Sequence, residues 1–120
     1  ENCSNIEIRN NSIEYMDYGI SIKNSRNIFI HNNAISGIRK LVNYKLSGSG
    51  IALDSCENVT ISENTISNNT NYGIYAISCR NIRIRGNAIR DNGIGGIYFC
   101  SGTVQNMIEN NIINETGESI

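Results

Sequence analysis

The stretch NIRIRGNAI, residues 81–89, decides the fold because the chain repeats its pattern. Isoleucines alternate with polar residues, as in a β-strand with one buried face, and an asparagine precedes a further apolar position. The other copies are NIEIRNNSI at 5–13, NIFIHNNAI at 27–35, NVTISENTI at 58–66 and a degenerate QNMIENNII at 105–113. Such copies predict a repeat architecture in which each unit buries its apolar face against its neighbours.

A second element follows each of the first four copies and places a glycine before alternating apolar residues. Its copies are YGISIKNS at 18–25, SGIALDSC at 49–56, YGIYAISC at 72–79 and GGIYFCSG at 95–102. In the first element the recurring asparagines are 22, 31, 23 and 24 residues apart, at Asn11, Asn33, Asn64, Asn87 and Asn111. The unit therefore has 22 to 24 residues, and one inserted loop occupies residues 37–49.

The period of two is that of a strand, and the 3.6-residue period of a helix is missing. The chain has 23 isoleucines and three leucines, and β-branched side chains suit a stacked sheet. A leucine-rich repeat would need a helical or irregular return, whereas the return here is another alternating strand. A left-handed β-helix advances in hexapeptide steps, which this spacing does not match. We therefore predict an all-β fold, a right-handed parallel β-helix solenoid of about five rungs.

Stacked rungs explain the recurring asparagine. Rungs about 4.8 Å apart place a repeated residue directly over its copies, and asparagine tolerates the left-handed conformation of a sharp corner. Each side-chain amide can then donate to one neighbour and accept from the other. We predict one structural ladder at the five asparagines named above and a second at Asn5, Asn27, Asn58 and Asn81.

These repeats resemble the pectate-lyase-like right-handed β-helix proteins, including the carbohydrate-binding and sugar-hydrolase type and NosD-like periplasmic proteins. The resemblance covers residues 1–120. It implies an extracellular, cell-surface or periplasmic protein and a range of activities: polysaccharide lyases, hydrolases, epimerases, phage tailspikes and non-catalytic surface proteins. The shared motif is structural, so the fold alone does not choose among these activities.

Composition predicts a single domain over residues 1–120. A net charge of −1 provides no broad attraction to nucleic acid or to an anionic membrane, and no apolar run approaches the length of a membrane span. An uncapped solenoid end exposes strand edges and apolar core. We therefore expect either a segment of a longer β-helix or rungs that stack against another chain.

The cysteines follow the repeat. Cys3, Cys56 and Cys79 each lie two residues before an asparagine of the second ladder, and Ser25 takes that place in the remaining rung. We expect stacked free thiols, with Cys100 a lone thiol, so cysteine usage leaves the redox compartment open. One histidine and no C-x-x-C motif give little support to a zinc site.

Ligand binding would use outward positions of the Gly-Ile-x-Ile strand. There Tyr75 lies over Tyr98, with Asp54 and Lys23 in the adjacent column. Sugar rings stack on such aromatic faces while nearby polar groups bind their hydroxyls, and in the pectinase-like relatives this sheet floors the substrate groove. The alternative, equally open, is that the tyrosines merely fill cross-strand positions.

The inserted loop at 37–49 lies on the same side, since insertions in solenoids often map to a binding face. It brings Arg39, Lys40 and Tyr44 towards the strand that holds Asp54. This basic loop suits a polysaccharide, particularly an acidic one. The alternative is a surface loop that only covers the sheet.

No catalytic residue is predicted, and the chain leans towards a non-enzyme. Glycoside hydrolysis needs two carboxylates roughly 5–9.5 Å apart, and Asp54 has no acidic neighbour in its column. The NTI at 64–66 has Ile66 where the polygalacturonase-like motif has an acid, and His31 is not flanked by glycines. No metal ligand or cofactor is predicted, although a lyase with a calcium ion and a Lys23 base stays open.

Three hypotheses follow. The preferred one is a carbohydrate-binding or substrate-positioning β-helix segment of an extracellular or surface protein. The second is a purely structural module that assembles end to end or lies within a larger rod. The third is a fragment of a polysaccharide lyase or hydrolase.

Overall fold

The computed structural model describes residues 1–39 and 47–114. Over these residues the chain coils into successive rungs of short strands, and no helix occurs among them. Rung 1 contains β1 (Ser4–Arg9), β2 (Ser12–Glu14) and β3 (Ile20–Lys23), and rung 2 contains β4 (Arg26–His31), β5 (Ala34–Ser36) and β6 (Ile51–Asp54). Rung 3 contains β7 (Glu57–Ser62), β8 (Thr65–Ser67) and β9 (Tyr72–Ile77). Rung 4 contains β10 (Arg80–Arg85), β11 (Ala88–Arg90) and β12 (Gly95–Cys100), and rung 5 contains β13 (Met107–Glu109) and β14 (Ile112–Asn114).

Three parallel sheets run along the coil. Sheet I has the order β1-β4-β7-β10-β13, sheet II the order β2-β5-β8-β11-β14 and sheet III the order β3-β6-β9-β12. Equivalent residues of successive rungs pair without slippage: Ile30 is opposite Ile61, which is opposite Ile84. The predicted all-β parallel solenoid of about five turns is confirmed.

The core is a stack of isoleucines inside the coil. Ile30, Ile61 and Ile84 are fully buried, because alternate residues of each strand point inward. In rungs 1 and 5 the equivalent residues are only partly buried: Ile6, Ile8, Ile13, Ile108 and Ile113. The apolar core therefore runs along the whole axis and is best covered in rungs 2 to 4.

The corners use left-handed backbone mostly at residues other than glycine. At the corner between sheets I and II, the left-handed residue is the one before the ladder asparagine: Asn10, Asn32, Glu63, Gly86 and Asn110, with φ between 54° and 67°. The prediction that the ladder asparagines themselves take this conformation is wrong for the first ladder. In the second ladder it is confirmed, at Asn5, Asn27, Asn58 and Asn81, with φ between 56° and 59°.

Asn64 shows how the first ladder works. Its Nδ2 donates to Oδ1 of Asn87 and to the carbonyl oxygen of Ile30, both at 3.0 Å. Its Oδ1 accepts from the backbone N–H of Asn33 at 2.9 Å and from Nδ2 of Asn33 at 3.1 Å. The preceding residue adopts the left-handed conformation of the corner, because the Asn64 amide points into the core. Amide-to-amide bonds continue the ladder through Asn11, Asn33, Asn64, Asn87 and Asn111.

The second ladder lies on the surface. Asn81 donates to Oδ1 of Asn58 at 2.7 Å, Asn58 donates to Asn27 at 3.2 Å, and Asn27 donates to Asn5 at 3.1 Å. These amides are exposed. They donate towards the first rung, whereas the amides of the first ladder donate towards the last.

A third, buried ladder was not predicted. Nδ2 of Asn69 donates to Oδ1 of Asn92 at 2.8 Å, and Oδ1 of Asn69 accepts from the backbone N–H of Ile38 at 3.0 Å. Asn69 and Asn92 are 2% and 0% exposed. With these bonds, no buried side-chain nitrogen or oxygen among the described residues lacks a partner, as a packed polar interior requires.

The recurring glycine marks a close approach between rungs. A Cβ on Gly73 would lie 2.8 Å from the carbonyl oxygen of Gly96 and 2.8 Å from Cγ2 of Ile89. Gly50 is equally crowded, because its Cβ would lie 2.7 Å from Cγ2 of Ile66. Sheet III thus packs close enough to sheet II that this column has no room for a side chain.

The cysteine column is confirmed as a column of free thiols. Sγ of Cys79 accepts a hydrogen bond from the backbone N–H of Cys56 at 3.4 Å. In the same way, Oγ of Ser25 accepts from the backbone N–H of Cys3 at 3.1 Å. Thr103 continues the column beneath Cys79. The contact with Cys56, followed by burial, raises the pKa of the Cys79 thiol well above its ordinary value. Cys79 therefore stays protonated and acts as a small hydrogen-bonding core residue.

Candidate functional site

The outer face of sheet III contains the residues that the sequence analysis singled out. Tyr98 pairs with Tyr75 in the strand register, and Lys23 pairs with Asp54. Between these pairs, Ala52 is opposite Tyr75 and Asp54 is opposite Ile77. The two predicted outward columns are therefore present, with the tyrosines in one and the charged residues in the next.

The tyrosines form a cluster of three rings. Tyr72, at the start of β9, stacks on Tyr98 with a centroid distance of 4.8 Å and an interplanar angle of 10°. Tyr75 meets Tyr98 at 5.4 Å and Tyr72 at 5.5 Å in tilted contacts. We name Tyr72, Tyr75 and Tyr98 the tyrosine cluster. Its geometry is that of favourable aromatic pairs.

The three rings differ in exposure. Tyr98 is 41% exposed, whereas Tyr75 is only 6% exposed. Tyr75 is covered by half-buried side chains that include Tyr18 and Ile77. The prediction of a shelf made by Tyr75 and Tyr98 together is thus modified: Tyr75 supports the surface, and Tyr98 presents it.

The Tyr75 hydroxyl is also occupied. It lies 3.5 Å from Sγ of Cys100. Burial, with this contact as the next cause, raises the pKa of Tyr75 well above its ordinary value. Tyr75 therefore stays neutral and serves as a packed support.

The charged pair lies two residues further along the strands. Asp54 and Lys23 are half-buried at the ends of β6 and β3. Oδ1 of Asp54 accepts from Oγ of Ser55 at 2.9 Å, which orients the carboxylate. In the column next to that of Tyr75, Asp54 lies one rung and Lys23 two rungs before it, on the side where sheet III turns into sheet I.

The inserted loop is described only at its ends. Arg39 is exposed and its backbone N–H donates to the carbonyl oxygen of Met16 at 2.8 Å. It lies at the corner that leads into β6, whereas Asp54 ends that strand. Lys40 and Tyr44 lie outside the described residues, so their proposed roles stay predictions.

Sheet I holds a histidine–carboxylate pair that the sequence analysis did not find. Nε2 of His31 lies 2.9 Å from Oε2 of Glu7, and Phe29 stacks on the imidazole at 4.3 Å. The hydrogen bond from His31 lowers the pKa of the Glu7 carboxyl below its ordinary value of 4.5. His31 stands in the predicted column of Arg9 and Ser62. The pair is diagonal across two strands, which a column-by-column reading of the sequence does not show.

Two grooves mark the surface. The larger, about 520 Å³, lies at the corner between sheets III and I in rungs 1 to 3 and is lined by polar residues that include Asn24, Arg26 and Glu57. The smaller, about 210 Å³, lies on sheet I and is lined by Asn58, Val59, Thr60, Asn81 and Arg83. The tyrosine cluster lines neither groove, so it is an open platform.

Across the described ranges, no group of three or more His, Cys, Asp or Glu residues is arranged to hold a metal ion. Residues 1–39 and 47–114 also contain no helix of the length and apolarity that crossing a membrane requires.

Comparison with known families agrees with the coil of parallel sheets. The family model for the right-handed β-helix region matches residues 1–120. The chain belongs to the right-handed β-helix family. No curated protein and no solved structure matches it significantly. Family membership therefore establishes the handedness and architecture of this β-helix, and its ligand has to be argued from its own surface.

Proposed function

We propose that this β-helix binds carbohydrate on the outer face of sheet III, with Tyr98 as the platform. One observation carries the proposal: an exposed Tyr98 ring stacks on Tyr72 at 4.8 Å above a buried Tyr75. Tyrosine offers a large contact area with few rotatable bonds, and neighbours that hold its ring lower the entropic cost of binding. This arrangement favours the apolar face of a sugar ring.

Polar groups on the same face would provide the other half of a sugar site. Asp54 and Lys23 lie one and two rungs before Tyr75 in the neighbouring column. They can bind hydroxyl groups of a polysaccharide that extends across the rungs, and few such groups are needed in an otherwise apolar contact. Arg39 and Lys40 of the inserted loop would add positive charge and favour an acidic polysaccharide, and Tyr44 would add a further aromatic ring. A surface of this kind suits an extracellular, cell-surface or periplasmic protein.

Binding fits this face better than catalysis. Asp54 is the single carboxylate in the two outward columns of sheet III, among residues Ser21, Ala52, Tyr75, Tyr98, Lys23, Ile77 and Cys100. Glycoside hydrolysis uses a pair of carboxylates. The face therefore supports a binding or substrate-positioning role.

The test compares Tyr98→Ala with the intact chain on a panel of neutral and acidic polysaccharides. We expect at least about a tenfold loss of affinity, the scale of one well-placed ring contact. Tyr98→Phe keeps the ring and should retain binding. Phe29→Ala is the matched control, because Phe29 is 39% exposed but lies on sheet I. Unchanged binding by Tyr98→Ala, or no glycan bound at all, would overturn the proposal.

A second candidate is a structural module in which copies of this chain stack head to tail. The observation that favours it is the partial burial of core isoleucines in the outer rungs, such as Ile6 and Ile108. A stacked copy would cover them and extend the parallel sheets. Light scattering should then show an average mass that rises with protein concentration, and a strictly monomeric chain would exclude the candidate.

A further inference from the structure

The outer face of sheet I has a polar groove that is independent of the tyrosine cluster. The groove of about 210 Å³ is lined by Asn58, Val59, Thr60, Asn81 and Arg83. These residues belong to β7 and β10 in rungs 3 and 4. Both strands have a paired neighbour on each side. The groove is therefore a feature of the inner rungs, unlike the larger one, which includes the first rung.

Arg83 is the charge of this groove. It is exposed, and its register neighbours are Thr60 in the preceding rung and Met107 in the next. Neither neighbour is acidic. The ion pairs found among the described residues all involve Glu7, which pairs with Arg9 and His31. Within that part of the chain, no carboxylate lies within ion-pair distance of Arg83.

Two further arginines of β10 add to the positive charge. Arg85 is exposed on the same outward face, two residues from Arg83. Arg80 begins the strand, and its Nε donates to Oε1 of Gln105 at 3.0 Å. That bond engages one of five guanidinium N–H groups. Rung 4 therefore carries three arginines on β10, and in the column of Arg83 the other rungs carry the acidic or neutral residues Glu7, Phe29, Thr60 and Met107.

The second asparagine ladder provides hydrogen-bonding groups beside Arg83. Asn58 uses one amide hydrogen towards Asn27 and one lone pair of Oδ1 towards Asn81. A primary amide has two donors and two acceptor sites, so one of each stays directed to solvent. The left-handed backbone of Asn58 and Asn81 and their mutual bond fix both amides in place. Thr60 adds a hydroxyl group in the same groove.

We infer that this groove binds a carboxylate-bearing sugar unit of an acidic polysaccharide, with Arg83 holding the carboxylate. The guanidinium fork matches a carboxylate with two parallel hydrogen bonds, and the amides of Asn58 and Asn81 bind the sugar hydroxyls. We name Asn58, Thr60, Asn81 and Arg83 the arginine site. It does not rest on the tyrosine cluster, which lies on another sheet.

The groove favours a sugar over a nucleic acid. Single-stranded nucleic acids bind through aromatic rings that stack on their bases, and no aromatic residue lines this groove. The exposed ring nearest in register is Phe29, opposite Thr60, and His31 already stacks on it. Amide and hydroxyl groups around one arginine are instead suited to a ligand rich in hydroxyls with one negative charge.

The experiment measures binding of an oligogalacturonate by calorimetry to the intact chain and to Arg83→Gln. We expect the substitution to weaken binding at least about tenfold, because a charge-assisted bidentate contact is lost. Arg90→Gln is the matched control: Arg90 is an exposed arginine of the same rung, on sheet II. It should change the affinity less than about twofold.

Two more ligands define the chemistry. The same oligosaccharide with its carboxylates reduced to neutral sugars should bind Arg83→Gln and the intact chain equally. A single-stranded oligonucleotide of similar charge should bind more weakly than the oligogalacturonate. Equal losses for Arg83→Gln and Arg90→Gln, equally tight binding of the oligonucleotide, or no effect of carboxylate reduction would each overturn the inference.

The two sites can be told apart. Tyr98→Ala should leave the effect of Arg83→Gln unchanged, because the residues lie on different sheets. If Arg83→Gln alone weakens binding of the oligogalacturonate, the arginine site stands and the tyrosine cluster does not hold this ligand. If Tyr98→Ala alone weakens it, the reverse holds. Unchanged circular dichroism and melting temperature of Arg83→Gln would confirm that this exposed substitution leaves the fold intact.

Discussion

Two long asparagine ladders run along this β-helix. The inner one has five asparagines and the outer one has four. Asn33, Asn64 and Asn87 are between 1% and 2% exposed, whereas Asn58 and Asn81 of the outer ladder are exposed. The inner amides bond to each other and also to backbone groups of neighbouring rungs. For the outer ladder, each bond between rungs joins one amide to one amide.

This difference separates two uses of one residue type. An inner amide bonds to buried backbone groups that water cannot reach, so its loss leaves a buried N–H unpaired and removes further hydrogen bonds. An outer amide competes with water for its partner and keeps a donor and an acceptor for a ligand. The comparison can be tested by substitutions in each ladder, beginning with the largest expected effect.

Asn64→Ala should have the largest effect. It leaves the backbone N–H of Asn33 without its side-chain acceptor. It also removes one hydrogen bond each from the Asn33 amide, the Ile30 carbonyl and the Asn87 amide oxygen. An unpaired buried N–H costs about 1–3 kcal/mol and each further lost bond about 1 kcal/mol, so we expect unfolding in urea to show a loss of about 3 kcal/mol or more. A loss under about 1 kcal/mol would remove the distinction between the ladders.

Asn92→Ala tests the third ladder. It leaves the backbone N–H and Nδ2 of Asn69 without their partner. These are two hydrogen bonds to described groups, against four in Asn64→Ala, and we therefore expect a loss of about 2 kcal/mol in the same urea measurement. A loss of stability larger than that of Asn64→Ala would show that the number of hydrogen bonds lost does not govern the cost.

Asn58→Gly should cost less than about 1 kcal/mol in thermal or urea unfolding. Glycine accepts the left-handed backbone of this position, whose φ is 56°, and the bonds it removes are exposed. Asn58→Ala is the control for conformation, because alanine should add about 1 kcal/mol of left-handed strain. If Asn58→Gly destabilised the fold as much as Asn64→Ala, exposure would not separate the two ladders.

Glu7→Gln should have the smallest effect, at the exposed pair of Glu7 and His31. The pKa of Glu7 is lower in the fold than its ordinary value of 4.5, so the ionised carboxyl stabilises the folded state above that value. The stabilisation is lost as the pH falls through the folded-state pKa. A small advantage of the intact chain over the variant at about pH 6 should shrink steadily as the pH is lowered below 4.5. An advantage that grows with acidity would contradict this assignment.

The architecture was accessible from sequence because its signal is repeated. Each rung places an isoleucine, an asparagine and a glycine at fixed spacings, and Asn33, Asn64 and Asn87 stack as the spacing predicts. The position of the left-handed residue was missed since doublets such as Asn10–Asn11 do not show which asparagine turns the chain. Glu63 and Gly86 before their ladder asparagines were the available signal.

The site was only partly accessible because it depends on contacts between columns. Register alone placed Tyr75 above Tyr98, but the side chains that bury Tyr75 include Tyr18 and Tyr72, which lie outside the two outward columns. The third ladder has only two asparagines, Asn69 and Asn92, and gives no extended pattern. The pair of Glu7 and His31 crosses two columns. Such diagonal and corner contacts follow from side-chain packing, which periodicity does not encode.

The opposite directions of hydrogen-bond donation in the two long ladders have an electrostatic consequence. Each amide is a dipole, and dipoles aligned head to tail add along a row, as they do in an α-helix. The row from Asn11 to Asn111 points one way along the axis, and the row from Asn81 to Asn5 points the other. Their fields therefore oppose each other, and the outer row offsets part of the partial charge that the inner row would leave at the two ends of the coil.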